Sequence, residues 1–82
     1  MPDRPLKLRD LRRILSRFDC WEDASRGKGS HTVFFREIDG AVFSYPVPTS
    51  RQDVSSVYVT GIRKRFNLTA RDGITDQQFY DD

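Results

Sequence analysis

The only histidine of the chain, His31, stands where a glycine-rich basic loop, Arg26-Gly27-Lys28-Gly29-Ser30, runs into a stretch of β-branched and aromatic residues. An imidazole titrates near ~6.5, so it can give or take a proton at neutral pH, and flanking glycines let a phosphate approach the backbone. Lys28 and Arg26 could neutralise that phosphate, and Arg36 lies on the strand that follows. The same residue types also suit a surface or partly buried histidine with no chemistry, so the loop alone leaves both roles open.

Other constellations are poorer. One Cys and one His make no zinc site unaided, and Asp19, Glu22 and Asp23 lie in a turn without imidazole or thiolate company, so neither a metal nor another cofactor is expected. Cys20 beside Trp21 suits a small buried hydrophobe better than a nucleophile. Trp21 and Tyr45 could stack on an unpaired base, although aromatic residues at strand positions serve the core first. Ser30 lacks the base and orienting group of a triad, and there is no Walker-type phosphate loop.

The 82 residues fit one small domain, 1–82, and ten aromatics are more than a disordered chain of that size usually carries. A mean hydropathy of -0.66 and the lack of an apolar run near ~20 residues argue against a membrane partner. No apolar segment follows Met1 to Pro5, and one cysteine cannot form an internal disulfide, so a cytoplasmic address is expected. The net charge of +2 is uneven: residues 72–82 hold Asp72, Asp76, Asp81 and Asp82 without Lys or Arg, leaving 14 basic against 8 acidic residues elsewhere. Eleven of the 14 are Arg, whose flat guanidinium pairs with phosphate, so a polyanion is the first partner to consider beside a merely solvated basic face.

These residues need elements to position them. Leu8, Leu11, Leu15 and Phe18, with Ile14 beside them, recur at three- and four-residue steps and predict an amphipathic helix over Leu6 to Phe18. Its opposite face carries Arg9, Arg12, Arg13 and Arg17; Arg12 and Arg13 are candidate RNA contacts. A short strand is read around Cys20 to Ala24, then His31 to Ile38, with Asp39-Gly40 as a hairpin signal and Ala41 to Val47 returning. That turn puts Ile38 beside Ala41, Arg36 beside Phe43 and Phe34 beside Tyr45 on one face, with Val33, Phe35 and Val42 on the other. Pro46 and Pro48 lack amide donors and place this strand at an edge. After a polar loop over Thr49 to Asp53, a second helix starts near Ser55 or Ser56 and runs to about Leu68, with Val54, Tyr58, Ile62 and Phe66 as its buried stripe. Arg63-Lys64-Arg65 make its last turn basic, and Asn67 can end it. Thr75 with Gln78 resembles a capping box that would dock Phe79 and Tyr80 in a last short helix.

The expected class is α+β: helix, three antiparallel strands, helix, both helices on one face, the arrangement of the double-stranded-RNA-binding fold, with an optional short C-terminal helix. The basic first helix, Gly29-Ser30-His31 opening a strand, the hairpin Val42 to Pro46 and the run Ile62 to Leu68 with Lys64 inside together resemble the HicA-type toxins of bacterial toxin–antitoxin pairs. The resemblance covers about residues 6–80. It departs from the usual pattern at Thr32, at Pro48 and at Val57-Tyr58-Val59, and by about two extra residues before Gly29.

What the resemblance implies is a metal-independent ribonuclease that cleaves single-stranded or messenger RNA and is neutralised by a HicB-type antitoxin. His31 would be its catalytic residue, and Gly29 and Ser30 would form the approach to the scissile phosphate. Arg26, Lys28 and Arg36 are the candidates for stabilising developing charge. The alternatives are a non-catalytic RNA-binding module on the same fold, in which Arg26, Lys28 and Arg63-Lys64-Arg65 contact phosphates, or a protein-interaction domain whose Arg face docks on an acidic partner.

Overall fold

The computed structural model describes residues 2–23, 25 and 29–81. Two extended residues, β1 (Leu6–Lys7), lead into α1 (Leu8–Arg17); β2 (Trp21–Asp23), β3 (His31–Ile38) and β4 (Ala41–Pro48) follow. Then come β5 (Asp53–Val54), α2 (Ser56–Arg65), a single 3-10 turn at Ala70–Asp72 and α3 (Asp76–Tyr80). The three long strands form an antiparallel sheet in the order β2-β3-β4, so the class is α+β as expected, and the proline-bearing strand is an edge.

The hairpin has the expected register: Ile38 opposes Ala41, Arg36 opposes Phe43 and Phe34 opposes Tyr45. Asp39 and Gly40 both adopt positive φ, 51° and 84°, which a two-residue turn matched to strand twist requires. Because side chains alternate along a strand, Thr32 and Phe34 go to the helix side with Val47, while His31, Val33 and Phe35 lie on the other side. The buried cluster joins Leu11, Ile14 and Leu15 of α1 to Phe34, Val47, Val59 and Ile62, and Phe66 and Phe79 close it. Each such side chain contributes about 1.5–3 kcal/mol by leaving water.

Both long helices stop in the same way. After α1, Asp19 takes a left-handed φ of 60° and the Cys20 amide returns to the Leu15 carbonyl at 3.0 Å. After α2, Asn67 takes φ 56° and the Leu68 amide reaches the Arg63 carbonyl at 2.7 Å. Asn67 therefore ends α2 as its type suggested. Thr75 and Gln78 form the expected reciprocal cap, and α3 buries Phe79 and Tyr80.

Three local expectations are corrected. The first helix starts at Leu8, not Leu6, because Leu6 and Lys7 are extended and pair with Val54 and Asp53, and the Leu8 amide donates to the Gln52 carbonyl at 2.8 Å. Ser55 stands at the N-cap of α2, but its hydroxyl makes no capping hydrogen bond. Arg63, expected in the RNA-binding alternative to contact phosphates with Lys64 and Arg65, is turned inward instead and is 4% exposed. Its Nε donates to the Leu68 carbonyl at 2.9 Å, and Nη1 donates to Asp3 at 2.7 Å and Asp76 at 2.9 Å.

Candidate functional site

His31 is the first residue of β3 and is exposed. Gly29 turns the chain into it with a left-handed φ of 59°, and a Cβ there would meet nothing within 4 Å, so the glycine is needed for backbone conformation and not for space. The Ser30 hydroxyl lies 3.4 Å from His31 Nδ1, and the Ser30 carbonyl accepts the Thr49 amide at 2.5 Å. His31 opposes Pro48. Gly29, Ser30 and His31 are thus exposed together at one end of the β3–β4 pair. Arg26 and Lys28 lie outside the described residues.

The neighbouring position turns inward. Thr32 is 1% exposed, and its hydroxyl donates to Glu22 Oε2 at 2.7 Å. The same carboxylate receives Arg12 through two parallel hydrogen bonds, from Nε at 2.8 Å and from Nη2 at 2.9 Å. Partial burial works to raise the Glu22 pKa, but the hydrogen bonds from Arg12 and Thr32 outweigh it and hold the carboxyl below its ordinary range. Arg12 is therefore engaged in holding α1 to β2. Arg13 is half-exposed, 4.0 Å from Asp81.

Arg36 is not brought to His31. It lies five residues along β3, about 16 Å at strand rise, and on the helix side, where its guanidinium donates to the Phe66 carbonyl at the end of α2. Of the basic triplet on α2, Arg63 is buried, and Arg65 donates to the Ser44 carbonyl at 3.2 Å with its guanidinium over Phe43. Lys64 is exposed.

Trp21 and Phe35 stack at 5.7 Å on the sheet face that carries His31, with Trp21 46% exposed, whereas Tyr45 packs against Gly61 on the other face. Cys20 is half-buried and burial pushes its thiol up to about 11, which fits the hydrophobe and not the nucleophile. Among the described residues no three His, Cys, Asp or Glu side chains gather as a metal site. No described helix is long and apolar enough to cross a membrane.

The segment Thr49–Gln52 has the composition of a polar connection and carries no motif. That segment and the start of α1 enclose a cleft lined by Lys7, Arg9, Arg12, Thr49, Ser50 and Arg51. The signal was present in Arg51 and the hydroxyls beside it, but only the two-residue pairing of β1 with β5 brings them to Lys7 and Arg9. No protein-family model, curated protein or solved structure matches this chain.

Proposed function

We propose that this chain is a metal-independent endoribonuclease of the HicA type on a double-stranded-RNA-binding-like fold, with His31 as its proton-transfer residue. The observation that carries this reading is an exposed imidazole at the head of β3, directly behind a left-handed Gly29 and an exposed Ser30. The order of α1, β2, β3, β4 and α2 agrees with that fold.

In the reaction, the neutral His31 imidazole takes the proton of a ribose 2′-hydroxyl. The 2′-oxygen forms a bond to the adjacent phosphorus, and the bond from phosphorus to the 5′-oxygen breaks. The leaving oxygen takes a proton from water, and the hydroxide so formed takes the proton that the imidazole had accepted, which restores His31 for the next turnover. The products are a 2′,3′-cyclic phosphate and a 5′-hydroxyl. One imidazole cannot be base and acid at the same instant, and position 32 supplies no second imidazole: it is a threonine held inward on Glu22. Messenger RNA is the substrate class. A HicB-type antitoxin would silence the chain by covering His31 or the loop before it, and a complex that left His31 open to RNA would count against that partner.

The test is induced expression of the wild-type chain and of His31→Ala in bacteria, with growth and messenger-RNA integrity followed together. Growth arrest with RNA loss that disappears in the variant is the expected result. A folded wild-type chain that binds RNA but leaves it intact would replace this reading by that of an RNA-binding module.

A further inference from the structure

The cleft between the start of α1 and the Thr49–Gln52 segment has a volume of about 610 Å³, large enough for a phosphate and its attached sugar. Four cationic side chains, Lys7, Arg9, Arg12 and Arg51, line it together with the hydroxyl residues Thr49 and Ser50, and among the described residues no carboxylate does. The acidic partners Asp53 and Glu22 hold Lys7 and Arg12 from outside that lining. Arg9 is 83% exposed and makes one loose ion pair, from its Nε to Asp10 at 4.0 Å. Arg51 is exposed and has no ion pair among the described residues. Arg51 and the terminal nitrogens of Arg9 therefore remain open toward solvent.

The position of the cleft relates it to His31. Thr49 follows Pro48, the strand partner of His31, and its amide is bonded to the Ser30 carbonyl. Neighbouring strands are about 5 Å apart and each residue adds about 3.3 Å, so Thr49, at one wall of the cleft, lies about 6 Å from His31 along the backbone. Because His31 is on the sheet face away from α1, the strand that meets both must round this end of β3 and β4. The chemistry suits a phosphodiester: flat guanidinium forks that pair with phosphate oxygens, and hydroxyls that donate to them.

We propose that this cleft is a phosphate subsite, in which Arg9 and Arg51 hold a backbone phosphate of the RNA strand whose neighbouring nucleotide lies at His31. The assignment rests on the ribonuclease reading for its substrate, but not for the existence of an anion site. Lys7 adds long-range attraction, and Arg12, already committed to Glu22, forms a wall of the recess.

The experiment measures binding separately from cleavage. A labelled single-stranded oligoribonucleotide is titrated by fluorescence anisotropy into the His31→Ala chain, which leaves the RNA uncut, over a series of salt concentrations. Arg9→Glu and Arg51→Glu are each placed in that background, with Arg71→Glu, an exposed site outside the cleft, as the equal charge change elsewhere. Circular dichroism confirms folding, which Arg9→Glu favours because it adds an anion to the first turn of a helix.

The expected result is a loss of about five-fold for each cleft variant at low salt and a salt slope reduced by about 0.7, the share of one phosphate on a single strand. Arg71→Glu should leave both nearly unchanged. Amide shifts at Thr49 to Gln52, read by NMR, should appear with RNA and be reproduced by inorganic pyrophosphate as competitor. Equal losses at all three positions, or none in the cleft variants, overturn the subsite. So does pyrophosphate binding without RNA binding, which marks a small-anion site, or the absence of any salt-sensitive RNA affinity, which would point to an acidic protein. Wild-type chain that fails to cut RNA while the cleft variants still lose affinity sinks the ribonuclease and keeps the subsite. Cutting that is untouched by Arg9→Glu and Arg51→Glu does the reverse.

Discussion

Arg12 on α1 and Glu22 on β2 meet fork to fork, and the Glu22 carboxylate also takes the hydroxyl of Thr32, the residue after His31. One carboxylate thereby fixes the helix, the edge strand and the start of β3 relative to one another. Removing either partner should cost about 1 kcal/mol, because the pair is only partly withdrawn from water and its geometry is bidentate. A double-mutant cycle of Arg12→Ala and Glu22→Ala in urea should show a coupling of that size. Additive single effects would mean that the two side chains do not act as a pair.

Arg63 is the cation whose loss should matter most. Its guanidinium donates to Asp3, Asp76 and the Leu68 and Ile74 carbonyls, and the Phe79 ring centre lies 4.5 Å from it. Arg63→Ala removes the cation facing Asp3, which keeps only the neutral donors Tyr80 and Thr60, and leaves the Leu68 carbonyl without its side-chain donor; it should cost about 3 kcal/mol. Arg63→Lys should recover only part of this, since one ammonium cannot reproduce the planar fork that meets four acceptors. Urea midpoints of the two variants check the order.

Acid should loosen the same corner. Burial works to raise the Asp3 pKa, but the hydrogen bonds from Tyr80, Thr60 and Arg63 prevail and hold it below its ordinary 3.8. Glu22 is likewise held below its ordinary 4.5. A carboxylate depressed on folding adds stability that is complete above its unfolded value and disappears as pH falls toward the folded one, where the unfolded chain binds more protons. Thermal midpoints should therefore be flat down to about pH 5 and drop below the 4.5 to 3.8 range. Asp3→Asn should start lower and fall less steeply.

Gly61 sits inside α2, where alanine would normally gain up to about 1 kcal/mol. A Cβ at this position would lie 2.0 Å from the Tyr45 hydroxyl oxygen and 2.7 Å from the ring carbon bearing it, so the ring must swing away. Gly61→Ala should destabilise by about 1–2 kcal/mol in the wild-type chain, and the same change should become stabilising in a Tyr45→Ala background. A change of sign between the two backgrounds in denaturant melts is the decisive readout.

Cys20 should resist alkylation in the folded chain. With its thiol pushed up to about 11 by burial, little thiolate exists at pH 8. Iodoacetamide labelling followed by mass spectrometry should be slow in buffer and rapid in denaturant; prompt labelling in buffer would show that the residue is open.

The central hairpin was readable because its causes are local. Asp39-Gly40 specifies a turn with two positive φ angles, and alternation across Thr32, Val33, Phe34 and Phe35 assigns the faces. The cap at Thr75 and Gln78 was readable for the same reason. Arg63 was not, because the residues that bury it, Asp3 and Asp76, lie 60 and 13 positions away, and next to Lys64 and Arg65 it has the composition of a solvated turn. The pairing of Leu6–Lys7 with Asp53–Val54 is two residues long and leaves no periodic trace, so the recess it creates beside Arg51 was equally invisible. At the site, His31, Gly29 and Ser30 were legible together, whereas the inward commitments of Arg36 and Arg12 depend on strand parity and tertiary partners.

The clasp at Asp3 has one more consequence. Its two carboxylate oxygens take hydrogen bonds from Tyr80, Arg63 and Thr60, and the Arg4 amide donates to the Tyr80 hydroxyl at 3.3 Å. Segments at positions 3–4 and 76–80 thus hold each other across most of the chain, and neither can leave without stranding the other's polar groups. They should open as one unit, so their amides should exchange with solvent at a common rate. In folding, such a contact forms late, since it closes a loop of more than seventy residues that only a nearly assembled core brings together.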